Sequence, residues 1–195
     1  MTKRSEGKRE LILKRAREVF SARGFKAVTM QDVVDACQIS RGGLYLYFGS
    51  TKELFLAVLE EEAEPDNSDA VMLAMQNDAT AGDLLALFLK EQKRQILKQE
   101  DSLELACFEY FATYRTAGEQ NPLRRRFNAQ VQTIDRLVVN GVRSGEFICP
   151  DPEGFSRNMM YTIEGLKYAA RTTGITQDAV DRELLYLLRS IIPEE

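Results

Sequence analysis

Between Thr29 and Leu54 the chain reads T-M-Q-D-V-V-D-A-C-Q-I-S-R-G-G-L-Y-L-Y-F-G-S-T-K-E-L, with helix-start signals at Thr29, Ser40 and Ser50. A threonine at 29 accepts from the free amide three residues on. Asp32 sits at the reciprocal capping-box position, where Glu or Gln is more usual. Met30, Val33, Val34 and Cys37 recur at i, i+3, i+4 and i+7, one apolar face of a helix. Gln38 and Ile39 make a turn too short for anything but an abrupt change of direction. Ser40 then opens a second helix with Leu44, Tyr47 and Phe48 inward, and Ser50 with Glu53 opens a third ahead of Leu54, Phe55, Val58 and Leu59. Two short helices on a tight turn, buttressed by a third, describe a helix-turn-helix.

Near its N-terminus the second helix carries Arg41, Gly42, Gly43 and Tyr45. Arginine donates two hydrogen bonds to the O6 and N7 of guanine in a major groove. Two glycines cost roughly 1 kcal/mol each in helix propensity, and in exchange leave a bare surface on which backbone approaches base edges; the alternative is that Gly42-Gly43 only completes the turn. The helix N-termini at Thr29, Ser40 and Ser50 also offer free amides to phosphate oxygens.

The run S-R-G-G-L-Y-L-Y-F-G-S-T-K-E-L-F, after V-T-M-Q-D-V-V-D-A-C, resembles the DNA-binding domain of the TetR family of bacterial transcription regulators, over about the first sixty residues. The resemblance implies that Thr29, Gln31, Arg41, Gly42, Gly43, Tyr45 and Tyr47 contact DNA. The chain departs from the family pattern twice. Gln38 stands where a glycine is usual in the turn, so a left-handed backbone there would be strained. A lysine usual at the position of Thr51 comes one residue later, as Lys52, the candidate phosphate contact.

Charge follows the same division. Residues 1–57 hold eleven Lys/Arg against six Asp/Glu, a net +5, whereas residues 58–195 hold fifteen against twenty-four, a net −9. A basic first third and an acidic remainder fit one part facing phosphate and the rest repelled by it. Histidine is absent, which removes the commonest general base and metal ligand. There is no glycine-rich phosphate loop after a strand and no metal-ligand cluster, so an enzyme is a poor reading and no cofactor is expected. Cys37, Cys107 and Cys149 are odd in number and widely spaced, as expected of reduced cytoplasmic thiols rather than a disulfide framework. No secretory signal and no membrane-spanning stretch is expected.

No segment alternates with period two for long, so the expectation is an all-α fold of about nine helices. It divides into a helix-turn-helix DNA-binding domain over 1–50 and a helical ligand-binding and dimerisation domain over 51–195. Residues 1–7 read as a mobile arm. Lys8 to Arg23 form a helix with Leu11, Ile12, Ala16, Val19 and Phe20 inward, stopped by Gly24. A helix from Ser50 to about Ala63 links head to body, and a short one is expected over Ala70–Gln76. Further helices run from Thr80 to about Gln99, from Asp101 or Ser102 to Tyr114, and from Pro122 to Ser144. Asp151-Pro152, a cap with proline at the first helical position, opens another to Thr173. Thr176 caps the last, to Ile192.

Two roles suit such a body. The first is pairing with a second copy: two reading helices about a two-fold axis read a palindrome with half-sites about 34–36 Å apart or a multiple of that. The resemblance implies that the last two helices make the dimer interface, through Phe155, Met159, Ile163, Leu166, Val180, Leu184 and Leu188; the same stripes also suit an ordinary core. The second role is sensing. Phe88, Phe108, Phe111, Phe127 and Tyr161 are candidates to line a pocket, with Glu104, Glu109 or Glu164 as a polar handle suited to a cationic, lipophilic effector. The leading expectation is thus a ligand-responsive regulator, a repressor of a palindromic double-stranded DNA operator. The alternative is a helical binding or adaptor module that needs no DNA.

Overall fold

In the computed structural model the described residues are 3–62, 79–98, 102–114 and 121–193. They form nine helices and no strand: α1 (Lys3–Arg23), α2 (Met30–Cys37), α3 (Arg41–Tyr45), α4 (Thr51–Glu62), α5 (Ala81–Leu97), α6 (Glu104–Thr113), α7 (Pro122–Ser144), α8 (Pro152–Thr172) and α9 (Gln177–Arg189). The all-α expectation is met. The first helix starts at Lys3, inside the stretch expected to be an arm, and the short helix expected over 70–76 lies outside the described residues. Among the described residues no helix is long and apolar enough to cross a membrane.

The helices pack as two units, Met1–Glu64 with Glu100–Arg125, and Pro65–Gln99 with Arg126–Glu195. This differs from the expected division at residue 50, and the reason is aromatic. Tyr110 of α6 is fully buried, with its ring 5.0 Å from that of Phe25 and 5.3 Å from that of Phe55. Phe20 completes the cluster, 4.8 Å edge-on from Phe55. Burying such rings removes some 150–250 Å² each from water, which is enough to bind α4 and α6 to the first unit.

Around this cluster α1 supplies Ile12, Leu13, Ala16 and Phe20; Leu11, expected inside, is exposed and Leu13 takes its place. In the second unit α5 packs on α8 and α9. Its core holds Leu85, Phe88, Leu89 and Ile96 of α5, Val131, Ile134 and Val138 of α7, Met159, Met160 and Ile163 of α8, and Val180 and Leu184 of α9. The N-terminus of α5 is closed twice. Thr80 and Asp83 form a capping box, and Glu146 accepts from the Gly82 amide at 2.9 Å and the Ala81 amide at 3.3 Å. Those amides, with Ser144, hold the Glu146 carboxyl below the usual range.

Candidate nucleic-acid interface

The start of α2 is held by the box expected from Thr29 and Asp32. Thr29 Oγ1 accepts from the Asp32 amide at 3.3 Å, and Asp32 Oδ2 accepts from the Thr29 amide at 2.7 Å. The Thr29 hydroxyl and amide, then the Arg23 guanidinium at 2.5 Å, stabilise the ionised carboxylate and lower its pKa to about 2. At the other end of α2 Gln38 is left-handed, φ 54° and ψ 42°, and among the described residues it is the non-glycine residue with positive φ. Its amide donates to Asp35 O at 3.2 Å, and the Ile39 amide to Val34 O at 3.3 Å. The turn keeps its geometry without glycine because these bonds tie it back to α2, which the buried Val33, Val34 and Cys37 hold in place.

Ser40 caps α3 by accepting from the Gly43 amide at 3.1 Å. The two glycines have different surroundings. A Cβ on Gly42 would meet nothing within 4 Å, so this is the bare outward surface. Gly43 is buried, and a Cβ there would crowd Ser40 Oγ at 3.1 Å. Its role is internal, against the expectation of a contact surface at both. Leu44 is fully buried and anchors the helix, leaving Arg41, Gly42 and Tyr45 exposed. The Arg41 guanidinium lies 5.5 Å from the Tyr45 ring centroid, a contact that restricts both side chains.

Gln31 is exposed on α2 and donates to Asp35 at 2.7 Å; Tyr47 follows α3 in a turn and is partly buried against the core. Lys52 is exposed at the start of α4, with its ammonium 4.6 Å from the centroid of Tyr114, at the end of α6. Two neighbours carried no expectation. Leu46, just past α3, is 83% exposed, an apolar side chain of the kind that meets a thymine methyl. Lys8 of α1 brings its ammonium to 3.7 Å from the position a Gly43 Cβ would take, beside the N-terminus of α3. With Leu44 inward, helical geometry turns Leu46 to the opposite side, which was the signal available for it; nothing in the sequence pointed Lys8 there.

Residues 12–58 match the family model described as bacterial regulatory proteins, tetR family, and residues 84–180 match a tetracyclin repressor-like C-terminal domain. An uncharacterized HTH-type transcriptional regulator of Bacillus subtilis (strain 168), YfiR, is 33% identical over 149 residues, covering 75% of this chain and 72% of the relative. The chain belongs to the TetR family of transcriptional regulators. Solved structures agree on the fold. A TetR-family regulator from Agrobacterium tumefaciens superposes with a TM-score of 0.78 at 15% identity, over 96% of this chain and 99% of the other. A transcriptional regulator from Saccharomonospora viridis, solved in complex with choline, gives 0.77 at 21% identity, over 97% and 100%.

Elsewhere in this TetR-family regulator the structure redistributes the expected site residues. Of the pocket candidates, Glu104, Phe108 and Phe111 belong to the first unit, and Phe88, Phe127 and Tyr161 to the second. Phe108 is 63% exposed, Phe111 packs beside Tyr110, and Phe88 is buried core. Phe127 and Tyr161 do meet, their rings 4.9 Å apart. Glu109 is engaged within the first unit: its Oε2 accepts from the Phe25 amide at 2.7 Å and the Lys26 amide at 2.8 Å. Of the residues expected at a dimer interface, Met159, Ile163, Leu166, Val180 and Leu184 are buried within the single chain, where α5 packs on α8 and α9. Phe155 and Leu188 are half-buried against the same core. The apolar residues that α8 and α9 turn outward are Tyr161, Tyr168, Leu185 and Tyr186. Burial raises the Cys37 and Cys149 thiols above their ordinary pKa, which keeps both protonated at neutral pH.

Proposed function

We propose that this regulator is a cytoplasmic repressor that binds a palindromic operator as a homodimer and is released by a small-molecule inducer. The observation that carries the DNA reading is the face of α3, where Arg41, Gly42 and Tyr45 stand out while Leu44 anchors the helix in the core. Arg41 reads guanine; Tyr45 holds the guanidinium and adds a contact of its own; Gly42 lets the backbone close on the groove. Thr29, Gln31, Ser40, Tyr47 and Lys52 fix the position on the phosphates. Lys8 and Leu46 join them, the first on phosphate and the second on a base.

The homodimer is supported by Tyr161 and Tyr168, seven residues apart on α8 with Gly165 between them, and by Leu185 and Tyr186 on α9. A Cβ on Gly165 would meet nothing within 4 Å, so a partner helix can come close at that point. Release is supported by the likeness in fold to a regulator solved with a small molecule bound. An inducer that prefers a conformation unfit for the operator shifts the population toward it, with a coupling of order 1–3 kcal/mol.

Selection of bound duplexes from a random pool tests the reading. A palindrome is expected, and binding that weakens steeply with salt. Arg41→Ala relaxes the preference at one base pair by roughly 1–3 kcal/mol, whereas Lys52→Ala weakens binding to every sequence and lowers the salt slope by about one. Indifference of the wild-type chain to all duplexes at low ionic strength would refute it.

A further inference from the structure

We infer that Gln92 is the polar anchor of the inducer site, and that the inducer is an uncharged, largely apolar molecule carrying adjacent hydrogen-bond donor and acceptor groups, as a carboxamide or lactam does. The inference rests on the proposed inducer response and gives it a chemistry.

Gln92 is fully buried on the face of α5 that also carries Phe88, Leu89 and Ile96. Neither its amide oxygen nor its amide nitrogen has a protein partner. Its polar neighbours on the helix are occupied with one another: Gln95 donates to Glu91 at 3.0 Å, and Glu91 accepts both Arg94 donors. The other buried polar side chains of this unit are satisfied, Ser156 by Pro152 O at 2.7 Å and Lys167 by Glu164 at 2.9 Å. A buried amide left with both ends unmet destabilises a chain, so such a group points to a function.

The chemistry of the guest follows from what surrounds it. A carboxamide side chain presents one acceptor and two donors side by side, and its complement is another amide. A cation would need a counter-ion, and among the described residues no carboxylate is buried in this unit. Glu109, one of the handles for which a cationic effector was expected, is committed to the Phe25 and Lys26 amides. Glu164 is exposed and paired with Lys167, which also leaves the buried ammonium engaged against an anionic guest. Met159 and Met160 share the same core. Unbranched thioethers repack at little cost, which a core that admits a guest requires.

The test uses the full chain, Gln92→Leu, Gln92→Met, and three probes of one chain length: octanamide, octanoate and octyltrimethylammonium. Both variants are expected to melt above the wild type without probe, since an apolar side chain relieves the unmet amide. Calorimetric titration is expected to show saturable binding of octanamide to the wild type in preference to either ion. Its affinity should fall at least about tenfold in both variants. Variants less stable than the wild type, octanamide bound equally by all three proteins, a preference for either ion, or no binding of octanamide to the wild type would each overturn the assignment. Operator binding without probe is read separately. Its loss in the wild type removes the DNA-binding reading and leaves the anchor to be judged by titration; octanamide bound through Gln92 without weakening the operator complex removes inducer release alone.

Discussion

Replacing Glu109 by alanine removes the acceptor shared by the Phe25 and Lys26 amides, 2.7 and 2.8 Å away. Hydrogen bonds to a charged acceptor contribute about 1.5–3 kcal/mol each, but the two are not equal here. Phe25 is buried in the aromatic cluster, and its amide would lose its partner away from water; Lys26 is exposed, and its amide would return to solvent. The expected loss is therefore about 2–3 kcal/mol, dominated by Phe25, and Glu109→Gln, which keeps a neutral oxygen in place, should lose about half of that. Denaturant unfolding of the three proteins measures the difference, and native-state hydrogen exchange at Phe25 and Lys26 locates it. Both amides should exchange faster in Glu109→Ala, with the cores of α8 and α9 unchanged. Because residues 24–28 set where α2 begins, operator affinity should fall with stability. If Glu109→Ala unfolds within about 0.5 kcal/mol of the wild type with the Phe25 amide still protected, the carboxylate does not hold this turn and the reasoning fails.

Gln38→Gly should raise stability by about 0.5–1 kcal/mol, the left-handed strain of Gln38 less the entropy glycine loses on folding; a lower denaturation midpoint would contradict it. Thr29→Ala should cost about 1 kcal/mol and raise the Asp32 pKa from about 2 toward its ordinary 3.8, which carboxylate titration by NMR reads directly. Since folding lowers this pKa, its contribution is complete above the unfolded value near 3.8 and is lost as pH falls through about 2, so acid unfolding of the variant should lose that component of its slope. Tyr168→Glu, at an outward position, should leave the fold and melting of the protomer intact while turning a dimer into a monomer in sedimentation. An unchanged dimer would move the pairing surface elsewhere.

What was legible in the sequence was local. The capping box at Thr29–Asp32, the serine cap of α3 and the proline-led start of α8 all follow from interactions within four or five residues, and each is present. Helix periodicity likewise identified the all-α class. It did not say which side of an apolar stripe meets another element of the same chain. Leu11 and Leu13 exchanged places because α1 is covered on one particular flank, and the residues expected at a dimer surface became core because α5 lies on them.

The sequence by itself thus determined the all-α class, the caps at Thr29, Ser40 and Asp151, and a basic reading motif with Arg41 and Tyr45 at its start. Only the tertiary structure decided that α6 belongs with that motif, through Tyr110 between Phe25 and Phe55 and through Glu109 on two backbone amides. It also decided that the amide of Gln92 is left without a partner in an apolar core. Caps and periods are written in neighbouring residues, whereas burial and the meeting of residues some eighty positions apart depend on how the helices pack.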